Sequence, residues 1–298
     1  MAKILIFGAH GLLGQNLVNQ FSQNYNVVGV GIEPKGQFQV DEIMDYRQGD
    51  ITNARQVAEI IEDREYAAII NTAAYTNVDR AEDEPDKAFQ LNVSAIQNIL
   101  GVLPDTTPLV HISTDYIFDG KSGPYRENAT TAPQGVYAQT KFAGEQMVTS
   151  SGKHTIIVRP NVLYGHGERL ASSFVAWLVG ELTAGRSVNI VDDQFNNPTY
   201  AKRLAEVINL LVSKRAQGDW NFGSREVVNR LTFALKIADV FGLNADLIHP
   251  ISTESLAQRA PRPLRSGLVC DKIEAELNYD ILPIHEELEL LKREMYAG

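Results

Sequence analysis

Apolar residues along this chain come in short runs separated by longer amphipathic stretches. Ile4-Leu5-Ile6-Phe7 is apolar at every position, which suits a strand buried on both faces. The segment after it changes period. Leu13, Leu17, Val18 and Phe21 recur at helical spacing, so one face can pack on a sheet. The pattern then repeats: a strand over 27–32, a helix over 54–62 with Thr52 or Asn53 as its N-cap, and a strand over 67–71. A long helix over 86–100, a strand over 109–113, a helix over 137–149 and a strand over 155–159 follow. Strands and helices alternating at this rhythm predict an α/β fold, a doubly wound parallel sheet with helices on both faces. Beyond Gly165 the alternation weakens to a helix near 172–184, a short strand over 188–191 and a helix over 200–212. A loop rich in Pro and Arg (258–266) and a terminal helix from Ile284 close the chain. The expected division is a nucleotide-binding domain over 1–160 and a smaller, mainly substrate-binding lobe over 161–298, with segments near 186–203 returning to the first.

Between the first strand and the first helix lies Gly8-Ala9-His10-Gly11-Leu12-Leu13-Gly14, a G-x-x-G-x-x-G turn. Glycine at the first position lets the chain leave the strand sharply. The later glycines let backbone N–H groups approach a pyrophosphate and let the helix pack close to the sheet. The helix N-terminus also offers unpaired donors and a positive dipole end to an anion. A plain βα turn could use the same residues. Glu33, nineteen residues past Gly14, stands at the end of the second strand, where it can bind ribose hydroxyls. A carboxylate there repels a 2′-phosphate and favours NAD(H), while Lys35 beside it softens that preference. The expected cofactor is NAD(H) or NADP(H), in a Rossmann-like domain.

Composition narrows the partners. With 298 residues, 44% hydrophobic and 21% charged, the chain can fold as one large domain or as a nucleotide domain with a smaller companion. A formal charge of −10 without a basic stripe excludes nucleic acid. The lone Cys270 excludes an intrachain disulfide and fits a reducing compartment. The longest apolar run, 170–180, falls short of the ~20 residues of a membrane span, and the chain enters its first strand too early for a signal peptide. A cytoplasmic protein is expected, with no membrane partner and no metal.

Tyr137 and Lys141 form Y-x-x-x-K, and on a helix these positions share a face. An ammonium beside a phenol stabilises phenolate and draws the tyrosine down from its usual value of about 10. Such a phenol can donate a proton to a carbonyl being reduced. The strand ending in Ser113-Thr114-Asp115 lies between this pair and the glycine turn, and Thr114 is placed to hold the carbonyl by its hydroxyl. Asp115 could equally serve as a capping residue.

The set Gly8/Gly11/Gly14, Gly49-Asp50-Ile51-Thr52-Asn53, Ser113-Thr114-Asp115 and Tyr137/Lys141 resembles the extended short-chain dehydrogenase/reductase superfamily. Three stretches are similar to the dTDP-4-dehydrorhamnose reductase family in particular: 71–82, beginning Asn71-Thr72-Ala73-Ala74-Tyr75-Thr76, Ser113 through Gly120, and Tyr137 through Glu145. Asp193-Gln194 with Pro198-Thr199, and Arg262-Pro263 with Ser266 and Leu268, extend the likeness along nearly the whole chain. The resemblance implies a Rossmann domain with a C-terminal lobe that reduces the 4-keto group of a nucleotide-linked 6-deoxy sugar, as in dTDP-L-rhamnose synthesis. It implies Thr114, Tyr137 and Lys141 as catalytic residues. Asp50, Ile51, Ala73, Ala74 and Tyr75 join the glycine turn (with His10, Leu12 and Leu13) and Glu33 in holding the cofactor. Thr76, Val78, Asp115 and Arg262 hold the substrate.

Other readings stay open. Val162 stands where the family has tryptophan, and Arg159-Pro160-Asn161 before it is closer to sugar-nucleotide epimerases; Asn197 replaces a common glycine. A 4,6-dehydratase fits less well, since its acid pair needs a glutamate where Tyr116 stands. A non-catalytic regulatory subunit would keep the fold without needing the phenol–ammonium pair. Arg259, Arg262 and Arg265 can clamp a substrate diphosphate or simply face solvent. Cys270 is expected as buried packing. The expected partners are a nucleotide-linked sugar and, in a homodimer, a second copy of the chain.

Overall fold

Strand β1 (Lys3–Phe7) runs through the middle of a seven-stranded sheet. The computed structural model describes residues 1–34, 45–61, 65–167 and 173–296. On one side of β1 lie β2 (Asn26–Gly31) and β3 (Asp45–Gln48). On the other lie β4 (Ala68–Asn71), β5 (Leu109–Ile112), β6 (Thr155–Pro160) and the strand Gly218–Phe222. Every adjacent pair is parallel. Strand order reverses between β1 and β4, which opens a crevice at the carboxyl ends of these two strands.

The all-apolar β1 is explained by two cores. Ile4 and Ile6 face one, shared with Leu13, Leu17 and Phe21 of α1 (Leu12–Phe21) and with Leu204, Ile208 and Leu211 of the helix Ala201–Ser213. Leu5 and Phe7 face the other, shared with Val57, Ile60 and Ile61 of α2 (Ala54–Ile61) and with Ile96 and Ile99. A strand covered by helices on both faces has no place for a polar side chain. A third core, around Tyr164, Phe233 and Leu288, belongs to the second lobe and is built by the helices Phe174–Thr183, Arg230–Phe241 and Ile284–Tyr296.

The structure narrows the expected return near 186–203 to its later part. Val188–Val191 pairs with Ile248–Ile251 in a separate two-stranded ribbon, so it adds nothing to the central sheet. Thr199 does come back, donating to the Phe222 carbonyl at 2.9 Å, and so does the helix Ala201–Ser213, which packs in the core of α1. The strand that does complete the sheet is Gly218–Phe222, in register with β6 from Ile156 to Pro160. Its polar residues have buried partners. Asp219 accepts from Arg159 at 2.5 Å, and Asn221 donates to the Tyr125 carbonyl at 3.0 Å. Arg159 also makes a two-pronged pair with Glu145 at 3.1 and 2.6 Å, tying β6 to the helix Gly135–Ser150.

The long helix expected over 86–100 contains a wide turn. Pro85–Phe89 and Ala95–Val102 are α-helical, and Gln90–Ser94 between them is one π turn. Asn92 sits in that turn. It accepts from the Tyr75 amide at 2.9 Å and donates to Thr140 at 3.0 Å, fixing the loop after β4 against the helix Gly135–Ser150. Among the described residues, no helix is long and apolar enough to cross a membrane.

Candidate active site

The three glycines after β1 do different things. Gly8 has φ +77°, and a Cβ there would lie 2.7 Å from Thr72 Oγ1 and 2.8 Å from the Ala73 amide nitrogen. At Gly14 a Cβ would lie 2.1 Å from the Gly8 carbonyl oxygen, so α1 can approach the turn only without one. Gly11 is the N-cap of α1 and gives its helix no side-chain cap. A Cβ at Gly11 would meet only the Gly8 oxygen, at 3.3 Å, because its other side is open cleft. Two glycines therefore serve packing, and the third keeps the amide-rich end of α1 accessible.

Two cavities meet at this turn. The smaller, about 230 Å³, is lined by His10, Glu33, Asp50 and Ile51. The larger, about 610 Å³, is lined by Leu12, Leu13, Thr76, Val78, Thr114, Asp115, Tyr137 and Lys141. Gly8, Gly11, Ala73 and Ala74 line both, so the two form one trough across the switch point. Glu33 is held at its edge: its Oε2 lies 3.1 Å from His10 Nδ1, and its carbonyl accepts from Tyr46 Oη at 2.7 Å. Burial and the Glu33 charge push the Tyr46 phenol up to about 12. Asp50 accepts from the Thr52 amide and hydroxyl, both at 2.8 Å, which shapes the turn into α2. Lys35 lies outside the described residues.

Thr114, Tyr137 and Lys141 converge on the larger cavity from β5's end and from the helix Gly135–Ser150. Thr114 lies beside Tyr137, donates to Asp115 Oδ1 at 3.2 Å and accepts from the Tyr116 amide at 3.3 Å. The expected lowering of the Tyr137 phenol by Lys141 does not hold in this structure. Burial pushes the phenol well up; Asp115 and Tyr116 add to the rise, and Thr114 opposes it. Lys141 is instead anchored on the Ile112 carbonyl at 2.5 Å, and burial brings its ammonium down to about 8. Asp115 is buried, which raises its carboxyl to about 6 against hydrogen bonds from Ser266 and Thr114. The Tyr116 ring meets Tyr137 edge-on at 5.5 Å, so an aromatic wall stands where a second carboxylate would be.

Three of the expected binding residues sit elsewhere than the trough lining. Gly14 is packed as above. Tyr75 turns its hydroxyl to Glu84 at 2.7 Å. Arg262 is paired with Asp79 at 2.6 Å, and neighbouring Arg259 with Asp83. These pairs pin the 258–266 loop to residues almost two hundred positions earlier. Arg265 lies over the Phe195 ring at 5.0 Å.

Two residues without a sequence signal belong to the site. Asn92 fixes the Tyr75 backbone, and Arg230, at the first turn of its helix, lines the larger cavity. Val162, singled out in the sequence, is noteworthy for its backbone. It lines the same cavity with φ +39°, a strained conformation for a β-branched residue. Cys270 is buried, its thiol pushed up to about 12 by that burial, as suits packing.

Comparison with known proteins gives concordant matches. The model of the RmlD substrate binding domain family matches residues 2–296. The methionine adenosyltransferase 2 subunit beta of Bos taurus is 33% identical over 288 residues, covering 91% of this chain and 81% of its own. A probable low-salt glycan biosynthesis reductase of Haloferax volcanii is 31% identical over 292 residues, covering 96% of each. Among solved structures, a dTDP-4-dehydrorhamnose reductase of Bacillus anthracis in complex with NADP superposes with a TM-score of 0.85 at 28% identity, covering 99% of this chain and 100% of that one.

Proposed function

This chain belongs to the RmlD substrate binding domain family, and on that footing we propose that it is an NAD(P)H-dependent reductase of the 4-keto group of a nucleotide-linked 6-deoxy sugar. The observation that carries this reading is the convergence of Thr114, Tyr137 and Lys141 on a cavity continuous with the glycine turn. The turn fits a dinucleotide. Gly11 leaves open the space a side chain would fill, the uncapped end of α1 presents amides to a pyrophosphate, and Glu33 offers acceptors to ribose hydroxyls. When bound, the reduced cofactor supplies the hydride.

The chain's own residues supply the rest. Thr114 Oγ1 and Tyr137 Oη can hold one carbonyl oxygen between them. The raised phenol keeps its proton at neutral pH until negative charge develops on that oxygen, and it then delivers it. The Lys141 ammonium, steadied by the Ile112 carbonyl, compensates the phenolate left behind. Thr114 and Lys141 are buried and Tyr137 half-buried, and low polarity around them strengthens each of these interactions. Asp115 is the one acid lining the larger cavity among the described residues, and the Tyr116 wall beside it disfavours the dehydratase reading.

A second reading, a regulatory subunit of the same fold, is favoured by the identity to the beta subunit of methionine adenosyltransferase 2. It leaves the assembled phenol, hydroxyl and ammonium unexplained. Assay of reduced-cofactor consumption with a panel of nucleotide-linked 4-keto sugars separates the two. Consumption supports the reductase, and inertness toward the whole panel removes it.

A further inference from the structure

Among the described residues Arg230 is the one arginine that lines the larger cavity of the trough. Among the described residues its guanidinium has no ion pair, whereas Arg259 and Arg262 nearby are each committed to an aspartate. It is only partly exposed and lies 5.2 Å from the centre of the Phe174 ring. Burial pushes the Arg230 guanidinium down, and the like charge of Arg262 adds to this while Asp115 and Tyr116 oppose it. Asp115 does not serve as its counter-ion, since its carboxylate is taken by Ser266 and Thr114. A half-buried cation without an anionic partner is costly, and an anion bound in the cavity it faces would offset that cost.

The position of Arg230 says where that ligand lies. It lines the larger cavity of the trough and also an adjoining one of about 500 Å³ in the second lobe. Phe174, Trp177, Asn189 and Gln258 line the adjoining cavity together with Arg230. Trp177 is 42% exposed, an unusual state for so large an apolar ring. A molecule spanning the two cavities would therefore have the Thr114 and Tyr137 hydroxyls in one, the Trp177 ring in the other, and the Arg230 cation shared by both.

We infer that Arg230 is the specificity-determining residue for the anionic linkage of the substrate: it takes the diphosphate of a nucleoside diphosphate-linked sugar, whose planar base lies against Trp177. This rests on the reductase reading for the sugar alone. Guanidinium matches two phosphate oxygens at once, so a phosphate-free sugar gains nothing from it.

The test is titration calorimetry of the intact protein with dTDP, UDP and GDP, using the matching nucleosides as phosphate-free controls. The wild type should bind at least one of the three diphosphates. Arg230→Met should weaken that binding at least tenfold, with Arg230→Lys recovering part of it. NADPH affinity, nucleoside affinity and melting temperature should not fall in either variant, and Arg230→Gln gives the same comparison should the methionine variant misfold. In steady-state assays the loss should appear in KM with kcat nearly kept. Parent-like diphosphate affinity in Arg230→Met, or no binding of any of the three by the wild type, overturns the assignment. Binding without cofactor consumption removes the reductase reading and leaves Arg230 assigned; consumption with Arg230→Met unaffected does the reverse.

Discussion

Glu33 Oε2 lies 3.1 Å from His10 Nδ1, so the acid at the end of β2 is held by the residue inside the glycine turn. The pair closes the edge of the smaller cavity. A carboxylate fixed there accepts hydroxyl hydrogen bonds and opposes a phosphate. Glu33→Ala should raise the ratio of kcat/KM with NADPH to that with NADH by about tenfold, equivalent to ~1.4 kcal/mol. An unaltered ratio would show that Glu33 plays no part in reading the ribose.

The glycines make a contrasting prediction. Gly14→Ala places a Cβ 2.1 Å from the Gly8 carbonyl, an overlap that the rigid βα turn cannot relieve. Its cost in chemical denaturation should be ~3 kcal/mol or more. Gly11→Ala faces only a 3.3 Å contact and should stay within about 1 kcal/mol of the parent. It should nonetheless lose at least about tenfold in dinucleotide affinity, because the new methyl stands where the pyrophosphate must approach. Equal stability losses in both variants would mean that Gly11, too, serves packing alone.

Lys141 sets a pH dependence of opposite sign for activity and stability. Its ammonium is brought from 10.5 to about 8 in the folded protein. Turnover that needs the ammonium should therefore fall as pH rises through about 8. The unfolded chain binds the proton more tightly than the folded one between these values, so this group's contribution to stability rises with pH across the same window. A pH–rate profile should show the alkaline fall, and Lys141→Met should give a low, flat one. A wild-type profile level to pH 9.5 would contradict the role given to Lys141.

Much of the fold is legible in the chain because its strands are simple. β1, β4 and β6 are buried on both faces and read as unbroken or nearly unbroken apolar runs. Gly218–Phe222 escapes such a reading because Asp219 and Asn221 satisfy their polarity through Arg159 and Tyr125, partners far off in sequence. The trough is legible for the same reason of locality. The glycine turn, Thr114 and the Tyr137/Lys141 pair each sit in a short motif with its own spacing. The pairing of Arg262 is hidden for the opposite reason, since the aspartate that engages it is 183 residues away. Arg230 carries no motif, and only the packing of the second lobe against β5's end reveals it.

The central claim, net reduction of a sugar nucleotide at Tyr137, is tested most directly by counting cofactor against product. Purified protein should carry little bound dinucleotide, since a reductase exchanges it every cycle. With a dTDP-linked 4-keto-6-deoxy sugar it should consume NADH or NADPH mole for mole as the 4-hydroxy sugar appears. Tyr137→Phe should slow this by ~10²–10⁴ with cofactor affinity kept. Protein that purifies with a full complement of NAD⁺ and interconverts 4-hydroxy sugars without added cofactor, or a Tyr137→Phe variant within a few-fold of the parent, would contradict the account.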